Sequence, residues 1–114
     1  MVLPHAEPLT EELKTKGVNL IELFGQELVT CFYSQQWAAR FAAIEKVDEQ
    51  LHNLDPNRRD AMSCEINRKN LPIENIFKTF LEFIDEGTKD PVLKNLIAIV
   101  DLLKKALPTF FRYL

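Results

Sequence analysis

The stretch "YSQQWAARF", residues 33–41, decides how the chain folds, because it separates two segments with the apolar spacing of helices. In each segment apolar residues recur every three or four positions, as on one face of a helix. The stripe before the stretch comprises Leu20, Ile21, Phe24, Leu28, Cys31 and Phe32, and the stripe after it comprises Trp37, Phe41, Ile44, Val47 and Leu51. Only a few residues join the two helices, so they must lie antiparallel as a hairpin.

The polar residues near the helix starts predict where the first helices begin. Thr10 is expected to cap a short helix whose first turn holds two glutamates, where the helix dipole favours anions. Gly17 interrupts that helix. Asn19 is expected to begin the clearer helix, with a glutamate three residues later as in a capping box. Ser34 is the expected N-cap of the helix after it.

A second hairpin follows a polar connection. Asn70 is the expected cap of its first helix, with Pro72 in the first turn, where a missing N–H has no cost. Gly87 is expected at the C′ position after that helix. Asp90 should cap the next helix, with Pro91 at its first position. The apolar stripes comprise Ile73, Phe77, Phe80, Leu81 and Ile84 in the first helix, and Val92, Leu93, Leu96, Ile97, Val100, Leu103 and Leu107 in the second.

These hairpins predict an all-α fold of stacked antiparallel helical hairpins, a HEAT- or armadillo-like α-solenoid of about two repeats. No segment alternates with a period of two, so no strand is expected. The expected organisation is a lead-in at 1–17 and a repeat segment at 18–114. Within that segment we expect a first hairpin at 18–52, a polar connection at 53–70 with a helical turn at 60–66, a second hairpin at 71–107 ending at Pro108, and the start of a further helix at 108–114. A four-helix bundle is the structural alternative.

The bulk composition limits the possible functions. The chain has 114 residues, of which 46% are hydrophobic, enough for one domain with a modest core. No signal peptide is visible, and the longest apolar runs are far shorter than a membrane span. The two cysteines suit reduced thiols in the cytosol. A formal net charge of −3 disfavours a general nucleic-acid binder.

Few residues have the pattern of an active site. His5 and His52 lie far apart in the sequence and have no second ligand one helical turn away, so no metal site is expected. The chain has three glycines in all and no phosphate loop. The carboxylates in "FLEFIDEGTKD", residues 80–90, are typical of a solvated helix face. We therefore expect a non-enzymatic protein with no catalytic residue and no cofactor.

Trp37, the only tryptophan, is the main candidate for function. It begins the apolar stripe of its helix and could therefore cap the hairpin from inside. It could also stand at the rim, with Arg40 three residues on as its neighbour on the helix surface. Tryptophan and arginine are the residue types most enriched at interface hot spots. The residues alone leave both alternatives open.

Two stretches resemble a known family. "YSQQWAARFAAIEKVDEQL", residues 33–51, resembles the first repeat of a TOG domain, the tubulin-binding array of HEAT repeats, in its W-x-x-R motif after the intra-repeat turn. "EGTKDPVLKNLIAIVDLLKKAL", residues 86–107, is similar to the second repeat, where an Asp-bearing turn precedes a valine and a long apolar helix. The likeness is to the divergent TOG domains of ciliary-tip proteins and of a MAP kinase kinase kinase. It covers about residues 18–107, whereas a full TOG domain has more than two repeats.

The resemblance implies binding of the α/β-tubulin heterodimer through the intra-repeat turns. Carried over to matching positions, the contact residues would be Trp37, Arg40, Lys89, Val92 and Lys94. The resemblance further implies a role in microtubule regulation and a cytoplasmic, cytoskeletal location, at a centrosome or cilium. It implies neither a nucleic-acid partner nor a membrane.

An armadillo- or HEAT-type scaffold that binds another protein in signalling or trafficking is the alternative. In that case Trp37 would belong to the core, and binding would fall to the basic connection with Arg58, Arg59, Arg68 and Lys69.

Overall fold

The computed structural model describes residues 2–58, 60 and 63–114. Over these residues the chain forms helices and no strand, which confirms the predicted all-α fold. The helices are α1 Glu11–Lys16, α2 Val18–Phe24, α3 Gln26–Phe32, α4 Trp37–His52, α5 Glu65–Arg68, α6 Ile73–Gly87 and α7 Leu93–Tyr113. Helix α3 pairs with α4 as one hairpin and α6 pairs with α7 as the other, while α2 packs against α3 and α6.

The two hairpins stack in two layers. Helices α2, α3 and α6 form one layer and α4 and α7 form the other, with the most extensive helix contact between α4 and α7. Aromatic rings join the first layer, since Phe32 stacks on Phe83 with 4.1 Å between ring centroids. Phe80 packs on Phe110 of α7 at 5.2 Å and so joins the two layers. A single core therefore runs through both hairpins.

The start of the first hairpin differs from the prediction. Thr10 caps α1 as expected, its Oγ1 accepting from Leu13 N–H at 3.2 Å. Asn19, however, does not begin a helix, because α2 starts at Val18 directly after α1. Its side chain donates to Glu82 of α6 instead. Gly25 then breaks the predicted long helix into α2 and α3, with φ 91° and ψ 152°, a conformation open almost only to glycine.

The connection between the hairpins is held by asparagine side chains. Asn67 donates to Asn53 O at 3.0 Å and accepts from Asp55 N–H at 2.8 Å. A helical turn is found at α5, which overlaps only the end of the predicted 60–66, and residues 61 and 62 of that prediction lie outside the described residues. Asn70 does not cap α6, for which Pro72 is the N-cap, but turns the chain in the left-handed region with φ 57°.

Helix α7 buries a different face from the one predicted. Its buried residues are Asn95, Ile99, Leu102, Ala106 and Phe110. Three members of the predicted stripe, Leu93, Ile97 and Val100, are 68%, 52% and 41% exposed. The helix is apolar over more than half its circumference, so its neighbours and not its pattern select the buried face.

Helix α7 also continues through Pro108 to Tyr113, so the predicted helix end and the separate further helix are not found. Proline removes one backbone hydrogen bond, here to the carbonyl of Lys104. Both Lys104 and Pro108 are exposed, so solvent can reach that carbonyl. Beyond the proline, Phe110 is fully buried between Phe77 and Phe80 and anchors the last turns.

Gly87 lies inside α6 as its last residue, and not at the predicted C′ position. A Cβ atom added there would lie 2.3 Å from Ile99 Cδ1 and 2.7 Å from Ile99 Cγ1. Ile99 is itself fully buried, so it cannot move away freely. Gly87 is therefore needed for the close approach of α6 to α7.

We expect Gly87→Ala to lower the free energy of unfolding by about 1–3 kcal/mol, because it overpacks the α6–α7 contact. Urea denaturation of the purified variant measures this loss. Ile99→Val shortens the side chain that clashes, so the double variant should lose less stability than the sum of the two single variants. Additive losses would contradict the steric explanation.

Candidate functional site

Two intra-hairpin turns lie side by side at one end of the molecule. The first turn, residues 33–36, joins α3 to α4, and the second turn, residues 88–92, joins α6 to α7. We call residues 33–41 and 88–95 together the turn edge. Four contacts on this edge join the two hairpins. Two hydrogen bonds run from Arg40 to Asp90, one runs from Asn95 to Trp37 O, and the ammonium group of Lys94 lies over the Trp37 ring.

The two turns share one local geometry. Ser34 Oγ accepts from Gln36 N–H at 3.0 Å, and Asp90 Oδ1 accepts from Val92 N–H at 2.9 Å. Each side chain thus bonds the backbone two residues on, which is the usual role of serine and aspartate in turns. The helices start after these bonds, with Gln36 and Val92 as N-caps, so the predicted caps Ser34 and Asp90 lie two residues too early.

An ion pair between Arg40 and Asp90 joins the two turns. Arg40 Nε donates to Asp90 Oδ2 at 2.8 Å, and Nη2 donates to Oδ1 at 3.2 Å. The remaining Nη1 donates to the carbonyl oxygens of Ser34 and Gln35, at 3.0 Å each. The side chains of the pair are only 16% and 6% exposed. Arg40 therefore holds its own turn and the neighbouring turn together.

Asn95 completes the buried polar network. It is fully buried, and its Nδ2 donates to Asp90 Oδ2 at 2.9 Å and to Trp37 O at 3.1 Å. The bond to Trp37 O fixes the start of α4 against α7. Its Oδ1 is buried without a hydrogen-bond partner among the described residues.

The pKa of Asp90 reflects this network. Burial of the carboxyl group would raise its pKa, but hydrogen bonds from Arg40, Val92 N–H and Asn95, together with the charge of Arg40, hold the pKa below its ordinary value. The carboxylate is therefore charged at neutral pH and keeps its partners in place.

Trp37 stands partly outside this network. Its side chain is 46% exposed. Lys94 Nζ lies 5.3 Å from the centroid of its ring and 4.7 Å from that of Phe41. Cations attract aromatic faces at such distances, so Lys94 restrains the indole without covering it. This exposure agrees with the displayed alternative for Trp37 and not with the core alternative.

The other predicted contact residues lie on the same edge but differ in their exposure to solvent. Val92 is half-buried, whereas Lys89 is exposed. Lys89 Nζ lies 3.1 Å from Glu86 Oε1, and this hydrogen bond raises the pKa of Lys89. The structure thus brings Trp37, Val92 and Lys94 together with Arg40, although the guanidinium of Arg40 faces inward. Whether these residues contact a partner stays a prediction.

The sequence analysis missed Glu7 and Asn95 as parts of the edge. Glu7 accepts from the Ser34 hydroxyl and, at 3.4 Å, from Gln35 N–H. These bonds, the one from Ser34 first, lower the pKa of Glu7. Nothing in the sequence pairs Glu7 with a turn far along the chain. Asn95 could have been noticed in the sequence, because it is a polar residue inside an apolar helix, five residues after the turn aspartate Asp90.

The basic connection of the scaffold alternative is largely engaged within the molecule. Arg68 donates to Ser63 O, and Lys69 Nζ donates to Glu22 O at 2.7 Å. Arg58 lies 3.8 Å from Asp60, and Arg59 falls outside the described residues. Over the described residues there is no cluster of three or more metal-ligating side chains, and no helix is long and apolar enough to cross a membrane.

Comparison with known proteins bears on the fold. No protein-family model and no curated sequence matches the chain. Two solved structures are similar to it. The "CEP104 TOG domain" has a TM-score of 0.73 and 24% identity, over 95% of this chain and 38% of the other. The TOG domain of human Cep104 has a TM-score of 0.76 and 21% identity, over 97% of this chain and 39% of the other.

The TOG-domain fold expected from the two motifs is thereby confirmed. The chain spans about two fifths of the TOG-domain chains that it matches. The likeness extends over both hairpins, since it covers nearly the whole chain.

We expect Asp90→Asn to lower the free energy of unfolding by about 3 kcal/mol at pH 7, because it leaves a largely buried guanidinium without its counter-ion. Lys105→Ala breaks the exposed pair with Asp48 and should cost at most about 0.5 kcal/mol. Urea denaturation of both variants beside the wild type measures the two losses. Equal losses would show that the Arg40–Asp90 pair contributes no more to the free energy of unfolding than an exposed ion pair does.

The same pair should make stability depend on pH. The pKa of Asp90 lies below its ordinary value of 3.8, so its contribution is complete above that value and lost as pH falls through the folded-state pKa. The gap in urea midpoint between wild type and Asp90→Asn should therefore narrow below about pH 4. A gap that stays constant down to about pH 2.5 would contradict this assignment.

Proposed function

We propose that the chain binds the α/β-tubulin heterodimer through the turn edge and acts in microtubule regulation, at the cytoskeleton of a centrosome or cilium. The observation that carries this proposal is a half-exposed tryptophan on a rigid edge, in a chain with the fold of a TOG domain. Tubulin binding is the activity that the TOG resemblance implies, and the turns are where that family makes contact.

The turn edge has the features of a protein-binding hot spot. Trp37 offers a large apolar surface whose backbone is fixed by Asn95 and whose ring is restrained by Lys94. A preorganised aromatic side chain loses little conformational entropy on binding. Hot spots are enriched in tryptophan and arginine for related reasons. Trp37 and Val92 would then supply apolar contact with the partner.

The cations of the edge would act in two ways. Lys94 and Lys89 have exposed side chains that can face an acidic surface such as that of tubulin, and such charges act mainly on the rate of association. Arg40 is 16% exposed and engaged by Asp90, so we assign it chiefly to positioning the two turns. Its direct contact with tubulin stays part of the proposal as the family pattern implies it.

Size-exclusion chromatography with purified tubulin tests the proposal. The wild-type chain should co-migrate with tubulin, and Trp37→Ala should weaken binding at least about tenfold, as loss of a hot-spot residue does. Val18→Ala, which alters another exposed apolar side chain on α2, is the matched control and should bind normally. Circular dichroism must show that both variants are folded. Co-migration that is equal for all three proteins would refute the role of Trp37.

Charge reversal tests the cations of the edge separately. Lys94→Glu should weaken tubulin binding, whereas Lys104→Glu, the same change on α7 away from the edge, should not. The effect of Lys94→Glu should shrink in high salt, because exposed charges are screened. Equal effects of the two reversals would indicate attraction by net charge alone. A wild-type chain that forms no complex with tubulin would overturn the proposed function itself.

A further inference from the structure

A long groove between α4 and α7 leads away from the turn edge. It consists of two adjoining cavities of about 490 Å³ and 530 Å³ that share Asp48, Glu49 and Lys105. The first is lined also by Phe41, Ile44, Glu45, Lys94, Ile97, Ala98, Asp101 and Leu102, and the second by Leu51, His52, Asn53, Ala106 and Thr109. None of these residues was predicted from the sequence to bind a partner except Lys94.

The groove has the length of a short helix. Its two walls run in the same direction, because contacts advance together along both helices, from Trp37 with Asn95 to Asp48 with Lys105. Along α4 the lining extends from Phe41 to Asn53. At 1.5 Å of rise per residue this span is about 18 Å, or about three helical turns.

The floor of the groove is apolar. Ile44 and Leu102 lie beneath it, and Ala98 and Ala106 contribute only methyl groups, which would allow another backbone to come close. Ile97 stands on the wall and is 52% exposed. Such a surface resembles the grooves in which proteins bind the apolar face of an amphipathic helix.

The rim of the groove is acidic. Its lining holds four carboxylates, those of Glu45, Asp48, Glu49 and Asp101, and two ammonium groups, and Glu49 also pairs with Lys46 at 3.5 Å. Lys105 lies 3.6 Å from Asp48 and is 67% exposed, so it can turn towards solvent. Lys94 sits at the end nearest the turn edge, over two aromatic rings. The carboxylates of Glu45 and Asp101 therefore remain to attract positive charge.

We propose that this groove binds a basic amphipathic helix of about three turns from a partner protein. The apolar face of that helix would cover Ile97 and the alanines, and its lysines or arginines would pair with Glu45 and Asp101. The phosphates of a nucleic acid, or an acidic protein surface, would be repelled by the same rim. The groove would thus bind a positively charged partner, whereas Lys94 on the turn edge suits a negatively charged one.

A designed peptide tests the groove directly. The probe is a fluorescein-labelled helix of about twelve residues, with leucine and alanine at i, i+3, i+4 spacing and lysines elsewhere. Its control is a scrambled peptide of the same composition, which has the same charge and no apolar face. Fluorescence anisotropy should show the patterned peptide binding the wild-type chain at least about tenfold more tightly than the scrambled one.

Variants of the chain locate that binding. Glu45→Lys with Asp101→Lys should weaken it at least about tenfold, and Ile97→Ser about threefold or more. Matched controls are Glu12→Lys with Glu74→Lys, which change net charge equally outside the groove, and Val18→Ser, which alters an exposed apolar residue on α2. The controls should bind as the wild type does, and circular dichroism must show every variant folded.

Two results would overturn the proposal. One is equal binding of the patterned and scrambled peptides, which would mean attraction by net charge alone. The other is full binding by the folded Glu45→Lys, Asp101→Lys variant. The test does not depend on tubulin, because it uses only the chain and the labelled peptide, so failure of one proposal leaves the other testable.

Discussion

The ion pair between Arg40 and Asp90 is the contact on which the arrangement of the two hairpins depends. It lies where α4 and α7 begin, and every polar group around it serves one of the two turns. A buried charge is stable only when its partners are all in place. Sliding α7 along α4 by one turn would separate the pair and strand Asn95 without its bond to Trp37 O. We interpret the network as the feature that fixes the register of the helices, while the aromatic core supplies most of the apolar burial.

The local sequence was sufficient for the helical hairpins and insufficient for how they pack. Short polar turns between apolar stripes predicted both hairpins, because such turns leave antiparallel packing as the only arrangement. The prediction of which face of α7 is buried was wrong, because apolar residues cover much of the helix circumference. The close approach of Gly87 to Ile99 turns that helix so that Asn95 faces inward. The burial of the polar Asn95 is explained by its two hydrogen-bond acceptors, Asp90 and Trp37 O, of which Trp37 O comes from the other hairpin.

The candidate site was found from the sequence in part. The W-x-x-R motif identified the first turn, and the aspartate before a valine identified the second. The exposure of Trp37 did not follow from its pattern, because either the core or the rim is open to an apolar residue at the start of a helix. What decides it is the position of α7, whose Asn95 holds the backbone of Trp37 and whose Lys94 lies over its ring. Glu7 reaches the edge from the chain's start, a contact that no periodicity encodes.

The same two helices build both proposed binding surfaces, and Lys94 belongs to both. Its ammonium group lies over the rings of Trp37 and Phe41 on the turn edge and also lines the end of the acidic groove. If both proposals hold, a partner that drew Lys94 outward on the edge would remove a positive charge from the groove and so strengthen its attraction for a basic helix. A basic helix in the groove would likewise repel that ammonium group towards the edge. Because coupling between two binding sites is reciprocal, each partner would then favour the other.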